Sequence, residues 1–240
     1  MTSYFTQAAK LLKTIEKTQK TPMQQAAKIM ADCAAADGLI YTLGSGHSLS
    51  VALEPFHRSG SLACVSAVMD PSFNFMPSAH AATDLERLSG YTPVILKRHN
   101  LTKKDVIIII SNSGRNSAGI DAALYAKSLG VKVIVITALK AHKATTSRHP
   151  SGKMLRDCAD IVIDNCCPKQ ETALTLNGKS IAPVSTIAGA AVMNNIMYLT
   201  AEILAKKGLP VPLYLSSNDG GDENNAKLAQ KYKGRILHLD

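Results

Sequence analysis

Apolar residues along this 240-residue chain are concentrated in five short, uninterrupted runs. The runs are rich in β-branched residues, which is typical of strands covered on both faces of a sheet. They lie at residues 38–43, 62–68, 105–111, 131–137 and 160–164. Because helix-like segments separate them, the pattern predicts an α/β fold with a doubly wound, parallel five-stranded sheet and flanking helices.

The remaining segments predict helices around and beyond this sheet. They are residues 3–36, broken near Thr21 and Pro22, 49–60 with Pro55 as a weak point, 117–130, 185–208 and 225–234. Ser185 and Gly208 are suitable N-cap and C-cap residues for the long apolar helix. No repeat or linker divides the chain. We therefore expect a single domain over 1–240, with an N-terminal helical segment 3–36 and a C-terminal helical extension 209–240.

Composition excludes several classes of protein. Hydrophobic residues make up 46% and charged residues 19% of the chain, as in a packed globular protein. No apolar run approaches the ~18–20 residues of a membrane span, and residues 1–20 are polar and lysine-rich, unlike a secretory signal. The five cysteines lack a C-x-x-C pattern. We interpret the adjacent Cys166 and Cys167 as buried small residues rather than a metal or redox site, and expect a cytoplasmic protein.

The formal net charge of +9 does not indicate nucleic-acid binding. Aromatic residues are only 5%, there is no tryptophan, and the basic residues are dispersed. The exception is the segment 140–156, which holds five Lys or Arg, two His and no acid. It is either a solvated loop or an attractor for a small anionic substrate. We favour the second interpretation because the segment follows a predicted strand.

Small polar residues follow the predicted strands, where open parallel sheets bind ligands. Gly-Ser-Gly-His-Ser (44–48) follows the first run, Ser-Asn-Ser-Gly-Arg-Asn-Ser (111–117) follows the third, and a Ser-Thr pair opens the long helix. Free N–H groups, hydroxyls and positive helix ends together predict a phosphate site. Its candidate residues are Ser45, Gly46, His47, Ser48, Ser111, Asn112, Ser113, Gly114, Arg115, Asn116, Ser117, Ser185 and Thr186.

Two nucleotide-binding alternatives are weaker. The first loop is not G-x-G-x-x-G, since Leu49 occupies the position of the third glycine, and only Asp70 offers a ribose partner after the second strand. The chain also has no G-x-x-x-x-G-K-[ST] sequence, which argues against a P-loop NTPase.

The three motifs "GSGHS", "SNSGRNS" and "STIAG" together resemble those of the sugar isomerase (SIS) domain. The similarity extends over residues 37–207, and it implies a fold that binds a phosphorylated sugar through these loops. The "SGR" form, with Arg115, is similar to the branch that holds N-acetylmuramic acid 6-phosphate etherases and glucokinase regulators. The segments "LERLSGY" (85–91) and "SRHPSGKMLRDCADIVID" (147–164) resemble a small bacterial group of SIS proteins classed as phosphosugar isomerases.

Sugar isomerisation needs a base that moves a carbon-bound proton and a partner at the oxygen. The resemblance implies a glutamate on the helix after the first loop, and Glu54 is our first candidate for the base. A surface role for Glu54 is the equal alternative. His47, inside the first loop, either contacts the phosphate, protonates the ring oxygen, or packs the turn.

The resemblance also implies a second acidic group after the second strand, for which Glu86 is the best match. Arg87 beside it is suited to a sugar carboxylate or phosphate, although the two residues are equally compatible with a surface ion pair. His80 is the substitute for Glu86. We interpret His57 and His149, and likewise Glu171, Asp222 and Glu223, as structural or surface groups.

Two classes of function remain open at this point. The first is a phosphosugar enzyme, with an aldose–ketose isomerase ahead of an etherase-type lyase. The second is a phosphosugar-sensing module without chemistry. No His, Cys and carboxylate cluster has metal-ligand spacing, so we expect no metal and no cofactor. Because residues 185–208 are apolar on several faces, we also expect a homodimer or a dimer of dimers, and no membrane or nucleic-acid partner.

Overall fold

A computed structural model describes residues 3–76, 78–142 and 145–239. Its main sheet contains β1 (Ile40–Gly44), β2 (Val65–Ala67), β3 (Val106–Ile110), β4 (Lys132–Thr137) and β5 (Ile161–Asp164). The strands are all parallel and lie in the order β2-β1-β3-β4-β5. A separate antiparallel hairpin is formed by β6 (Thr172–Leu176) and β7 (Lys179–Pro183). The predicted α/β fold with a five-stranded parallel sheet is confirmed.

The helices of the described residues lie between the strands in the chain, and further helices precede the first strand and follow the last. They are α1 (Tyr4–Thr18), α2 (Lys20–Ala35), α3 (His47–Leu53), α4 (Ala79–Arg87), α5 (Tyr91–Leu96), α6 (Ser117–Ser128), α7 (Leu139–His142), α8 (Ser185–Lys206) and α9 (Asp222–Tyr232).

The central strands are buried along nearly their whole length. Every residue of β1 and β3 is buried, and in β4 only Lys132 at the start is exposed. Val106 pairs with Ile40 on one side and with Lys132 on the other, which sets the register across the three strands. Parallel strands covered on both faces have no polar side to alternate with, which explains the uninterrupted apolar runs in the sequence.

Two groups of helices enclose the sheet. In one group α8 packs against α1, α2 and α3, and in the other α6 packs against α4 and α5. α2 contacts β1, β3 and β5, whereas α6 contacts β3 and β4. The strands and both groups share one hydrophobic core. This arrangement leaves the carboxyl ends of β1, β3, β4 and β5 at a single edge.

Several element boundaries differ from the predicted ones. α3 ends at Leu53, two residues before Pro55, because proline cannot continue a helix. α8 begins at Ser185 itself with Val184 as its N-cap, and Lys207 is its C-cap. The predicted break in the first helical segment falls at Gln19 rather than at Pro22. The sequence patterns did not predict α4, α5 or the β6–β7 hairpin.

α8 is long and apolar enough, by length and composition alone, to cross a membrane. Polar residues such as Asn194 and Asn195 interrupt its apolar sequence, so the helix did not stand out as an uninterrupted apolar run. Within its most apolar window 44% of the residues are buried inside the domain. A core helix of a globular protein passes the same test, so the finding is weak evidence for a membrane span.

Candidate functional site

A cleft of about 240 Å³ opens at the carboxyl ends of the strands. In the strand order observed here, the chain leaves β1 and β3 in opposite directions, and open α/β sheets bind ligands at that point. The cleft is smaller than the roughly 300–1,000 Å³ of sites for drug-sized ligands, which is suitable for a small polar molecule. Its lining comprises Ser45, Gly46, His47, Ser48, Val51, Phe75, Glu86, Ile110, Ser111, Asn112, Ser113, Asn165, Glu171, Ser185 and Thr186.

The loop after β1 is held in a tight turn. The backbone N–H of Ser48 donates to the carbonyl oxygen of Ser45 at 3.1 Å, and that of Gly46 donates to the carbonyl oxygen of Phe73 at 2.9 Å. A Cβ atom on Gly44 would lie 2.3 Å from the carbonyl oxygen of Ser48. Glycine is therefore required at Gly44 for the turn to close, and this closure brings the loop hydroxyls to the cleft.

The loop after β3 is fixed by a buried histidine beneath it. Oγ of Ser111 accepts the N–H of Gly114 at 3.2 Å. The hydroxyl of Thr137 donates to the carbonyl oxygen of Ser111 at 2.6 Å and lies 2.6 Å from Nε2 of His142. Since the single hydroxyl proton of Thr137 is directed at Ser111, Nε2–H of His142 is the donor to Thr137. His142 therefore supports the loop from below.

One part of the interpretation of the basic segment 140–156 is wrong, because His142 does not contribute to the attraction of an anion. Burial, followed by the nearby charge of Arg156, lowers the pKa of His142. The imidazole is 2% exposed, and it is neutral near pH 7 because its pKa lies below the ordinary value of 6.5. It therefore adds structural support to the cleft, and it adds no positive charge for an anion.

A third part of the cleft comes from residues after β5. Nδ2 of Asn165 donates to Oδ1 of Asn112 at 2.8 Å, which ties the end of β5 to the loop after β3. Glu171 is half-buried, and its Oε2 accepts the hydroxyl of Ser185 at 3.3 Å. The surface interpretation of Glu171 is thus wrong, because this carboxylate lies in the cleft at the start of α8.

Glu86, the candidate for the second acidic group, lies on α4 and lines the cleft. Nδ2 of Asn116 donates to Oε1 of Glu86, and this bond fixes the carboxylate beside the loop after β3. The rings of His47 and Phe75 lie against each other, with 5.2 Å between their centres. The cleft therefore contains two carboxylates and an imidazole next to its hydroxyl groups.

Glu54 does not line the cleft in this chain. It follows the last residue of α3, about 10 Å along the helix axis from His47. Its Oε1 lies 2.5 Å from Nη1 of Arg58 and accepts Nδ2 of Asn194 at 3.0 Å. The Glu54 side chain is half-buried and pairs with residues outside the cleft lining.

The other predicted residues lie close to the cleft or at its rim. His80 is exposed in the first turn of α4 and is not part of the lining. Gly114 and Ser117 are buried behind the loop after β3, while Arg115 and Asn116 are half-buried beside it. Among the described residues, no group of three His, Cys, Asp or Glu side chains is placed to hold a metal ion.

Two polar residues of the cleft, Asn165 and Glu171, were not predicted from the sequence, and a signal was present only for Asn165. Asn165 directly follows β5, so the strand-end argument used for the other loops applies to it as well. Glu171 lies seven residues beyond that strand, and the turn that carries it to α8 has no recognisable motif. Only the hairpin that returns the chain to Val184 explains its location.

Comparisons with known proteins agree with this fold. A family model described as the SIS domain matches residues 3–138. A UPF0309 protein of Thermoanaerobacter pseudethanolicus is 38% identical over 98% of each chain, and one of Listeria monocytogenes is 36% identical over 99% of each chain. The chain therefore belongs to the SIS domain family, and these two UPF0309 proteins are relatives of similar length.

Solved structures with the same fold include an enzyme and a regulator. A phosphoheptose isomerase from Francisella tularensis superposes with a TM-score of 0.51 at 19% identity, over 81% of this chain and 94% of that one. The sugar isomerase domain of an RpiR transcription factor from Sphaerobacter thermophilus gives 0.51 at 18% identity, over 95% and 94%. At these identities the likeness shows the fold alone.

Proposed function

We propose that this protein binds a phosphorylated sugar in the cleft and interconverts its aldose and ketose forms. The observation that carries the proposal is that hydroxyl-rich loops and two carboxylates line one cleft at the carboxyl ends of the strands. The loops supply donors for a phosphate, and the carboxylates supply the acid–base groups that proton transfer between neighbouring carbons needs. The phosphoheptose isomerase with the same fold supports the same class of function.

In this proposal the phosphate binds to the hydroxyls and N–H groups of three segments. These are residues 45–48, 111–113 and 185–186. Ser113 has a half-buried side chain at the cleft and makes no hydrogen bond within the described residues, so its hydroxyl is available to a ligand. Ser185 lies in the first turn of α8, a helix of 22 residues, where free N–H groups favour an anion.

Glu86 is the proposed base that moves the carbon-bound proton. Asn116 donates to one carboxylate oxygen of Glu86. This bond restricts rotation of the carboxylate, and the other oxygen is left for the substrate. Glu171 serves the oxygen end, because it reaches the cleft from a different segment and is oriented by Ser185. General acid–base groups of this kind accelerate a reaction by roughly 10²–10⁴-fold each. Glu54, the first candidate from the sequence, has no part in this scheme.

The test begins with a thermal-shift panel of pentose, hexose, heptose, hexosamine and muramic acid phosphates. The best binder is then incubated with the protein and followed by NMR. We expect a stabilising phosphosugar whose aldose and ketose forms reach equilibrium. Stabilisation with elimination of an ether substituent from a muramic acid phosphate indicates the lyase instead. Absence of stabilisation by every phosphosugar contradicts the proposal.

The second candidate is a phosphosugar sensor without chemistry. The observation that favours it is the equal similarity of the chain to the sugar isomerase domain of a transcription factor. Binding without any turnover, and without exchange of a carbon-bound proton, would select this function.

A further inference from the structure

Three arginines lie together beyond the rim of the cleft, next to Glu86. Asn116 connects the two sites, because its Nδ2 donates to Glu86 while its Oδ1 accepts Nη1 of Arg148 at 2.9 Å. The backbone N–H of Arg148 donates to the carbonyl oxygen of Arg115 at 2.9 Å. Arg87 directly follows Glu86 at the end of α4. The side-chain amide of Asn116 thus connects the guanidinium of Arg148 to Glu86, which lines the cleft.

The segment that carries Arg148 is held firmly against the domain. Nε2 of the neighbouring His149 lies 2.9 Å from Oδ1 of Asp121 on α6, and both side chains are about nine-tenths buried. The N–H of Leu155 donates to the carbonyl oxygen of Gly114 at 2.8 Å. The position of Arg148 beside Arg115 is therefore set by the packing of the segment and not by the arginine side chain alone.

The arginine cluster has an excess of positive charge. Desolvation and then the charges of Arg115 and Arg87 lower the pKa of Arg148, and only Glu86 acts in the opposite direction. Among the ion pairs of the described residues, none includes these three arginines. Nε of Arg115 is also buried without a hydrogen-bond partner in the described part of the chain. A buried donor without an acceptor is costly, so an anion at this place would satisfy both the donor and the charge.

We propose that the sugar bound in the cleft carries a second anionic group, a carboxylate or a second phosphate, which docks on Arg115 and Arg148. The inference rests on the proposed phosphosugar function and specifies its substrate class. Guanidinium groups match both anions because each presents parallel N–H donors to two oxygens. The phosphate on the hydroxyl loops and the second anion on the arginines would hold the sugar at both ends, with Glu86 between them.

The test uses two matched pairs of ligands in isothermal titration calorimetry at 150 mM salt. 6-Phosphogluconate is compared with glucitol 6-phosphate, which carries a hydroxymethyl group in place of the carboxylate. Fructose 1,6-bisphosphate is compared with fructose 6-phosphate, which has one phosphate fewer. In at least one pair, we expect the ligand with two anionic groups to bind tenfold or more tightly than the ligand with one. The pair that shows this difference identifies the second anion as a carboxylate or a phosphate.

The arginine variants then locate this preference. Arg148→Gln should reduce the tenfold ratio to below threefold, and it should leave the affinity for the ligand that has only one anionic group within twofold. Arg115→Gln should also reduce the ratio to below threefold. Arg148 is exposed, so Arg148→Gln should fold. This variant alone tests the second anion site if Arg115→Gln does not fold. Arg58→Gln is the matched control, since this exposed arginine pairs with Glu54 away from the cleft, and it should keep the full ratio.

Two results overturn the inference in distinguishable ways. Equal affinities within both pairs, or a preference that persists in Arg148→Gln, contradict the second anion site and leave the phosphosugar proposal intact. Absence of binding by all four ligands and by inorganic phosphate contradicts the phosphate cleft itself, and the second anion site with it.

Discussion

Replacement of Gly114 by alanine tests how the loop after β3 is supported. Gly114 has a φ of +58°, and an added Cβ would lie 2.2 Å from Nε2 of His142 and 3.1 Å from Oγ1 of Thr137. The left-handed backbone costs an L side chain ~1–2 kcal/mol, and displacement of a packed side chain adds ~1–3 kcal/mol. We therefore expect Gly114→Ala to lower the free energy of unfolding by about 2–5 kcal/mol.

Gly130→Ala is the matched control for this experiment. Gly130 has a φ of +76°, but its added Cβ would meet only Cβ of Lys103 at 3.5 Å, an ordinary contact. This variant should lose only the backbone contribution of ~1–2 kcal/mol. Urea denaturation at pH 7 measures both variants. In the double variant Gly114→Ala/His142→Ala, the loss should be smaller than the sum of the two single losses, because the clash has been removed. If Gly114→Ala costs no more than Gly130→Ala, the proposed support by His142 is wrong.

Three further predictions concern pH, ligand binding and assembly. Burial lowers the pKa of His99 from 6.5 to about 4. Because the folded protein resists protonation of this histidine, its contribution to the free energy of unfolding is complete above pH 6.5 and should fall by about 3 kcal/mol as the pH drops to 4. A urea midpoint that stays constant between pH 7 and 4.5 would contradict this. Ser113→Ala and Ser48→Ala should each weaken phosphosugar binding by ~1.5–3 kcal/mol, which calorimetry would record as a loss of affinity of about 10–100-fold, and their melting temperatures should not change. Undiminished affinity in both variants would contradict phosphate binding by these loops. α8 leaves Tyr198 62% exposed, and light scattering at micromolar concentration should show a dimer or larger assembly, a prediction that a monomer would refute.

The sheet was predictable because its signal is local. An uninterrupted run such as Val106–Ile110 has to be covered on both faces, and this is sufficient to indicate a parallel sheet. The rule that ligands bind at strand carboxyl ends then selected the loops at Ser45–Ser48 and Ser111–Ser113, whose members line the cleft. Both inferences depend on residues adjacent in the chain.

The carboxylates were less predictable because their positions depend on packing between distant segments. Glu54 was chosen for its helix, yet Pro55 ends α3 early and the side chain pairs with Arg58 instead. Glu171 was passed over because its place in the cleft depends on a hairpin and on a bond from Ser185 on α8. Glu86 was chosen by resemblance, whereas its orientation depends on Asn116, thirty residues further along the chain.

Exchange of a carbon-bound proton with solvent is the most direct test of the central claim. The phosphosugar that stabilises the protein best is incubated in deuterated buffer with wild type, Glu86→Gln and Glu54→Gln, and deuterium at each carbon is followed by NMR. We expect wild type and Glu54→Gln to incorporate deuterium. Glu86→Gln should exchange at least 100-fold more slowly, with its substrate affinity within a few-fold of wild type. Undiminished exchange in Glu86→Gln would contradict the account, and so would the absence of exchange in wild type.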